Sequence, residues 1–284
     1  IILFSRNIKS VKQCKDLIFQ IRKVFRDKKY PILIDQEGGR VNRLSKIIDL
    51  SFYTSKFFGD LYKQNKKKFI VNYKIFIDKT SFYLRLLGIN INTVPVLDLY
   101  YKNTSKIIGD RSFSSNVDQV SKFGDLCIKY FHENSIGTIM KHIPGHGLAK
   151  KDSHKFTPII SKKYNYLLKK DFSAFKKKKC LFAMTAHVIY KDIDNINTVT
   201  HSRKIIDIIR KKIKYKNLLI SDDISMKSLK FSIKENTKKA FSAGCNLVLH
   251  CSGNYKEMCI VAKNSPTLDK FVLKKTSEFY DIIS

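Results

Sequence analysis

The sequence predicts an α/β protein, either a (β/α)8 TIM-type barrel or a doubly wound sheet, and three observations carry that reading. Seven short apolar, β-branched runs recur along the chain, helical patterns fill the intervals, and chemistry-bearing residues gather where the runs end. The runs fall at 1–4, 31–35, 92–97, 136–142, 181–187, 218–222 and 246–251. They are almost continuously hydrophobic rather than alternating, as strands of a parallel sheet covered on both faces should be. Between them lie helices with recognisable starts. Asn116 or Val117 leads Val120, Phe123, Cys127, Tyr130 and Phe131, and Ser202 caps Ile205, Ile206 and Ile209. No linker interrupts the pattern, so one domain is expected over the 284 residues. The lysine-rich stretch 162–179 reads as one helix with a basic outer face over Leu167, Leu168, Phe172 and Phe175.

Composition narrows the function classes. A 43% hydrophobic share with 11 Gly and 5 Pro excludes a low-complexity chain, and the lack of an apolar run near 18 residues excludes a membrane span. The formal charge of +31 raises a nucleic-acid or anionic-surface reading. Yet 46 of the 55 basic residues are Lys and 9 are Arg, beside 7 Ala and no Trp. Such a profile points to an AT-rich genome rather than to a nucleic-acid reader, which leans on Arg for bidentate contacts, so no nucleic-acid partner is expected. Six cysteines without a CxxC pair read as reduced thiols of a cytoplasmic protein. No signal peptide is read at Ile1, and the sequence does not begin with Met.

The runs end in a series of polar motifs: DQEGGRV at 35–41, Asp98 in PVLDL at 95–99, GDRSF at 109–113, KHIPGHG at 141–147 followed by DSH at 152–154, AHVIY at 186–190, and SDDISM at 221–226. Active sites of barrels sit at the carboxyl ends of the strands, which is where these motifs fall. His142, His146, Asp152 and His154 also form a possible metal cluster, but their spacing fits no zinc pattern and Lys141 would repel a cation; neither metal nor cofactor is expected.

In these motifs, their order, and AGCN at 243–246, the chain resembles bacterial β-N-acetylglucosaminidases of glycoside hydrolase family 3. The resemblance extends from the first residues to about position 250. It implies the barrel rather than the doubly wound sheet, and a retaining exo-hydrolase that removes terminal β-linked N-acetylglucosamine from peptidoglycan fragments in cell-wall recycling. A retaining glycosidase needs a nucleophile at the anomeric carbon and a group that first protonates the leaving oxygen and later deprotonates water. The resemblance assigns the nucleophile to Asp222, and Asp223 reads instead as a cap. No glutamate stands in a comparable motif for the second role. A histidine titrates near neutrality, and a carboxylate two residues away can fix its tautomer, so Asp152 and His154 suffice chemically; the resemblance implies the same pair, on a loop able to close over substrate. By resemblance, Asp35, Arg43, Arg111, Lys141 and His142 contact the sugar. His146 and His187 are expected to be satisfied loop or core histidines, and a monomer binding an anhydromuropeptide sugar is implied.

Two departures stand out. Family members carry one more strand before the run that opens at Ile1, so the expectation is a barrel that either lacks its first strand here or closes imperfectly. Asn246 stands where an acid is common. Three rivals remain: another family 3 exo-glycosidase, a phosphorylase, or a basic protein that binds nucleic acid or anionic surfaces with a decayed site.

Overall fold

A computed structural model describes residues 1–284. Each of the seven apolar runs contributes one strand: β1 (Ile2–Leu3), β2 (Leu33–Ile34), β3 (Ile91–Asn92), β4 (Gly137–Ile143), β5 (Phe182–Thr185), β6 (Leu218–Asp223) and β7 (Leu247–Leu249). They pair in parallel and in sequence order, as successive right-handed crossovers require. Helices α1 (Val11–Phe25), α2 (Ser55–Gln64), α3 (Lys66–Leu87), α4 (Val117–Glu133), α5 (Tyr164–Lys169), α6 (Arg203–Ile208), α7 (Ile233–Ala243), α8 (Tyr255–Asn264) and α9 (Lys270–Ile282) complete the molecule. It is a single TIM-like α/β barrel.

The predicted helix starts carry real caps. Asn116 accepts from the Gln119 amide and Ser202 from the Ile205 amide, each satisfying a donor that the first helical turn leaves free. The stretch 162–179 departs from its expected form. It breaks into α5 and a 3-10 turn over Asp171–Phe175, and Lys178 turns inward to donate to Ser121 and Asp125. Leu167, Phe172 and Phe175 are buried as expected.

Two apolar layers result. The larger lies between strands and helices. The smaller fills the barrel lumen, where Leu33, Ile91, Ile139, Phe182, Met184, Leu218 and Ile220 point inward and α9 adds Val272 and Phe279 from below. Helix α9 thus plugs the amino end of the barrel. A Cβ at Gly137 would lie 3.0 Å from the Phe279 ring, so a side chain there would press on the plug.

The ladder runs from β1 to β7 without a strand between β7 and β1. That seam is bridged by side chains. Arg6 donates to the Cys251 carbonyl, and Ile2 and Leu249 pack on the same lumen cluster. Strand β7 is only half-buried along its length, whereas β4 is buried throughout. No helix is long and apolar enough to cross a membrane.

Candidate active site

Seven of the eight residues singled out from the sequence line one cavity of about 240 Å³ at the carboxyl ends of the strands: Asp35, Arg43, Arg111, Lys141, His142, His154 and Asp222. Asp152 stands behind His154 rather than on the wall.

The floor is a chain of alternating charges drawn from three strand ends and a loop. Lys141 Nζ donates to Asp35 at 2.9 Å and to Thr93 at 3.0 Å, and it lies 2.6 Å from Glu37. The Glu37 carboxylate receives a two-pronged contact from Arg111, 2.8 Å on each arm. Arg43 approaches the other oxygen of Asp35 at 3.7 Å, and its buried Nε has no partner within the protein. Burial alone would raise the Asp35 and Glu37 carboxyls, but Lys141 beside the first, and Arg111 and Lys141 beside the second, hold both below the usual carboxylate range. Burial works against the Lys141 ammonium too, and the two carboxylates overcome it. Asp35, Glu37 and Lys141 are therefore ionised at neutral pH.

Lys141 and His142 are consecutive, yet both face the cavity. The β4–β5 register shifts between Lys141 and Ile143, and such an irregularity re-aims side chains that an ideal strand would send to opposite faces. His142 is fixed by Asp98, which contacts its Nδ1 at 2.6 Å, accepts from its amide, and accepts from the His146 amide at 2.6 Å. With Nδ1 committed, Nε2 is the nitrogen left for the cavity.

Asp222 ends β6, a strand buried up to Ser221. One oxygen accepts from the Asp223 amide at 2.8 Å. Burial raises this carboxyl, but His187, His142, the Asp223 amide and Lys141 together hold it below its ordinary value. A rigid, ionised carboxylate at a strand end is what nucleophilic attack requires. Asp223 does not compete for that role: it accepts from the Ser225 amide and hydroxyl and from the Cys251 amide, closing a turn rather than capping a helix as expected, because the next helix, α7, is capped by Ser232.

His154 stands opposite in construction. It lies on the loop after β4, its Nδ1 2.9 Å from Asp152 and its amide donating to the same oxygen at 2.8 Å. Burial would raise the Asp152 carboxyl, but the His154 contacts prevail and lower it, so a carboxylate backs the imidazole. The loop root is tightly fitted. Gly145 has φ +147°, a Cβ there would lie 2.8 Å from that of Asp171, and Tyr190 donates to the Gly145 carbonyl. Asp171 is itself buried, accepts from Tyr101 at 2.9 Å and has no cation beside it; burial pushes its carboxyl up to about 7.

His187 is a satisfied core residue, bonded to Thr200 and to the Asp223 carbonyl. His146 is less settled than its sequence context suggested. Nε2 contacts Ser153 at 3.1 Å, but the buried Nδ1 has no partner, and burial with the neighbouring His142 lowers its pKa to about 4. Arg40, though it shares a motif with the site, braces the 106–110 loop through Asp110 and three carbonyls. The Asn246 side-chain oxygen accepts from Arg210 and from the Leu219 amide. No group of three or more His, Cys, Asp or Glu is placed to hold a metal ion.

Sequence reading did not give Glu37, Asp98, Thr93 or Asp171 a role. The first two stand in the quoted motifs, and their carboxylates beside Arg and His motifs were the available signal; Asp171 left none.

The profile described as the N terminal domain of glycosyl hydrolase family 3 matches residues 1–272. The β-hexosaminidase of Actinobacillus succinogenes is 31% identical over 262 residues, 89% of this chain and 73% of the relative. That of Haemophilus influenzae is 31% identical over 260 residues, 89% and 72% respectively. Among solved structures, NagZ from Neisseria gonorrhoeae in complex with N-trifluoroacetyl-D-glucosamine superposes with a TM-score of 0.88 at 26% identity, over 98% of this chain and 82% of that one. A family 3 β-N-acetylglucosaminidase from Paenibacillus, at 23% identity and a TM-score of 0.85, shares the fold.

Proposed function

The chain belongs to glycosyl hydrolase family 3 and is a glycosidase, and on that premise we propose that it is a retaining exo-β-N-acetylglucosaminidase acting by double displacement. One observation carries the reading: an ionised strand-end carboxylate, Asp222, and a carboxylate-backed imidazole, His154, share a cavity floored by fixed charges. Asp222 attacks the anomeric carbon while His154 protonates the departing glycosidic oxygen. The bond to the leaving sugar breaks as the bond to Asp222 forms. His154, now neutral, takes a proton from water, and the hydroxide displaces Asp222 to return free sugar. The cavity lies below the ~300 Å³ lower bound usual for drug-sized ligands, which suits one sugar ring rather than a chain. The unpaired Arg43 Nε and the committed Asp35–Lys141 pair offer donors and acceptors for ring hydroxyls.

For the substrate we infer what the motif resemblance implies: β-linked N-acetylglucosamine on an anhydromuramoyl sugar, with or without peptide, released during peptidoglycan recycling. Six free thiols suit a reducing cytoplasm, and we read residues 1–284 as one catalytic barrel that works as a monomer.

Asp222→Ala should lower turnover of 4-nitrophenyl N-acetyl-β-glucosaminide by on the order of 10⁴. Retained turnover would remove the nucleophile assignment. Faster cleavage of the corresponding β-glucoside would remove the acetamido specificity, and release of sugar 1-phosphate in phosphate buffer would replace hydrolysis by phosphorolysis.

A further inference from the structure

Helix α3 has two apolar faces, and only one has a partner. Phe69, Tyr73, Ile77, Leu84 and Leu87 are buried against the barrel. Val71, Ile75, Phe82 and Leu86 lie on the outer side with exposures of 57%, 57%, 55% and 37%. Their offsets of four, seven and four residues place them in one line about 22 Å long on the helix surface. At its lower end the line meets α1, where Phe19 (69% exposed) and Leu86 line a common groove of about 850 Å³ with Lys15, Lys23 and Arg26. Scattered exposed apolar residues need no explanation, but five aligned across two helices do.

The charges around the stripe are mainly positive. The one acid of α3, Asp78, lies in the line between Ile75 and Phe82 and is paired with Lys74 at 3.0 Å, while Lys67, Lys68 and Lys79 flank the apolar residues. On α1 the sole exposed acid is Asp16. An apolar line bordered by lysines is the pattern of helices that rest in the headgroup region of an anionic bilayer, with the lysine stems lying along the apolar surface and their ammonium groups at the phosphates.

We propose that the α1–α3 face docks on anionic phospholipid membranes, with Phe19, Val71, Ile75, Phe82 and Leu86 entering the interface. A second copy of the chain is disfavoured as occupant, because two surfaces of a protein with a formal charge of +31 repel. A nucleic acid is disfavoured because the centre of the patch is largely aliphatic and its cations are mainly lysines. The orientation leaves catalysis free. Leu87 leads directly into the start of β3, so the groove end of the patch lies at the amino end of the barrel, away from the strand ends that carry Asp222.

The test is sedimentation with vesicles of equal parts phosphatidylglycerol and phosphatidylcholine, compared with phosphatidylcholine alone, at ~0.1 M salt. The wild-type chain is expected to sediment with the anionic vesicles only. The double variant Val71→Ser, Phe82→Ser should bind them about tenfold more weakly or less, since each change withdraws a kcal/mol-scale apolar contact. Its hydrolysis of the soluble chromogenic substrate should be unchanged, which shows that it is folded. Absence of sedimentation, or undiminished binding by the double variant, would overturn the proposal. So would single-stranded RNA retention or a concentration-dependent dimer that the same two changes abolish, because either assigns the stripe to another partner.

Discussion

The floor and the loop of the site use the same chemistry, a carboxylate holding a cation, in opposite physical settings. On the floor, the Lys141 side chain is 2% exposed and the Glu37 side chain 4%. On the loop, the His154 side chain is 61% exposed and that of Asp152 35%. Burial makes the floor permanent: each ion there has lost its water, so each depends on the others and none can leave. Exposure makes the loop adjustable. Water, rather than a second ion, solvates the part of the His154 ring that Asp152 leaves free. On the proposed reading, the site divides its labour between a buried ionic frame beside the sugar and an exposed acid and base.

Breaking either half should give separable results. Glu37→Ala leaves Arg111 and Lys141 buried without their shared carboxylate and should destabilise the fold by about 3–5 kcal/mol in chemical denaturation. His154→Ala should leave stability within about 0.5 kcal/mol, since the residue is exposed, while lowering turnover by ~10²–10⁴. Its defect should be larger on a sugar leaving group than on 4-nitrophenol, which departs with less help from an acid. Comparable loss of stability in both variants would erase the contrast between frame and loop.

Asp171, beneath the loop root, sharpens the comparison because it is buried like the floor but has no cation. Its carboxyl titrates at about 7, against about 4 in an unfolded chain. Below pH 4 both states are protonated and the group costs nothing. Between 4 and 7 the unfolded chain ionises while the native chain keeps its proton, so stability falls as pH rises through that window. Asp171→Asn, which can still accept from Tyr101, removes this slope and should raise stability relative to wild type by up to about 4 kcal/mol at pH 8, and by little at pH 4. A pH-independent difference in melting temperature would refute the titration. The smallest effect belongs to the exposed Arg40–Asp110 pair, where Asp110→Asn should change stability by less than about 1 kcal/mol, read by thermal melting in low and high salt.

Much of this was legible in one dimension. All seven strands overlap the apolar runs, with β3, β4 and β6 reaching one residue beyond them, because a strand buried on both faces must be continuously apolar whatever its neighbours are. Asp222 and the Asp152–His154 pair were singled out by motifs, which are local, and the structure brings Asp222 and His154 to one cavity. The 162–179 stretch was misjudged because its eight lysines were read as one surface, and Lys178 was drawn inward by Asp125 on another helix. Asp171 was missed for the same kind of reason: nothing beside it in sequence hints that Tyr101 and Gly145 will bury it.

By itself, then, the sequence determined the α/β alternation, the family and the residues able to do the chemistry, since periodicity, caps and motifs are written over spans of a few residues. Only the tertiary structure decided that Glu37, Arg111 and Lys141, drawn from three separate segments, would share one ionic floor, that α9 would plug the barrel, and that β7 and β1 would meet through side chains alone. Burial and pairing energies depend on which distant groups arrive together, and that is settled only when the chain closes on itself.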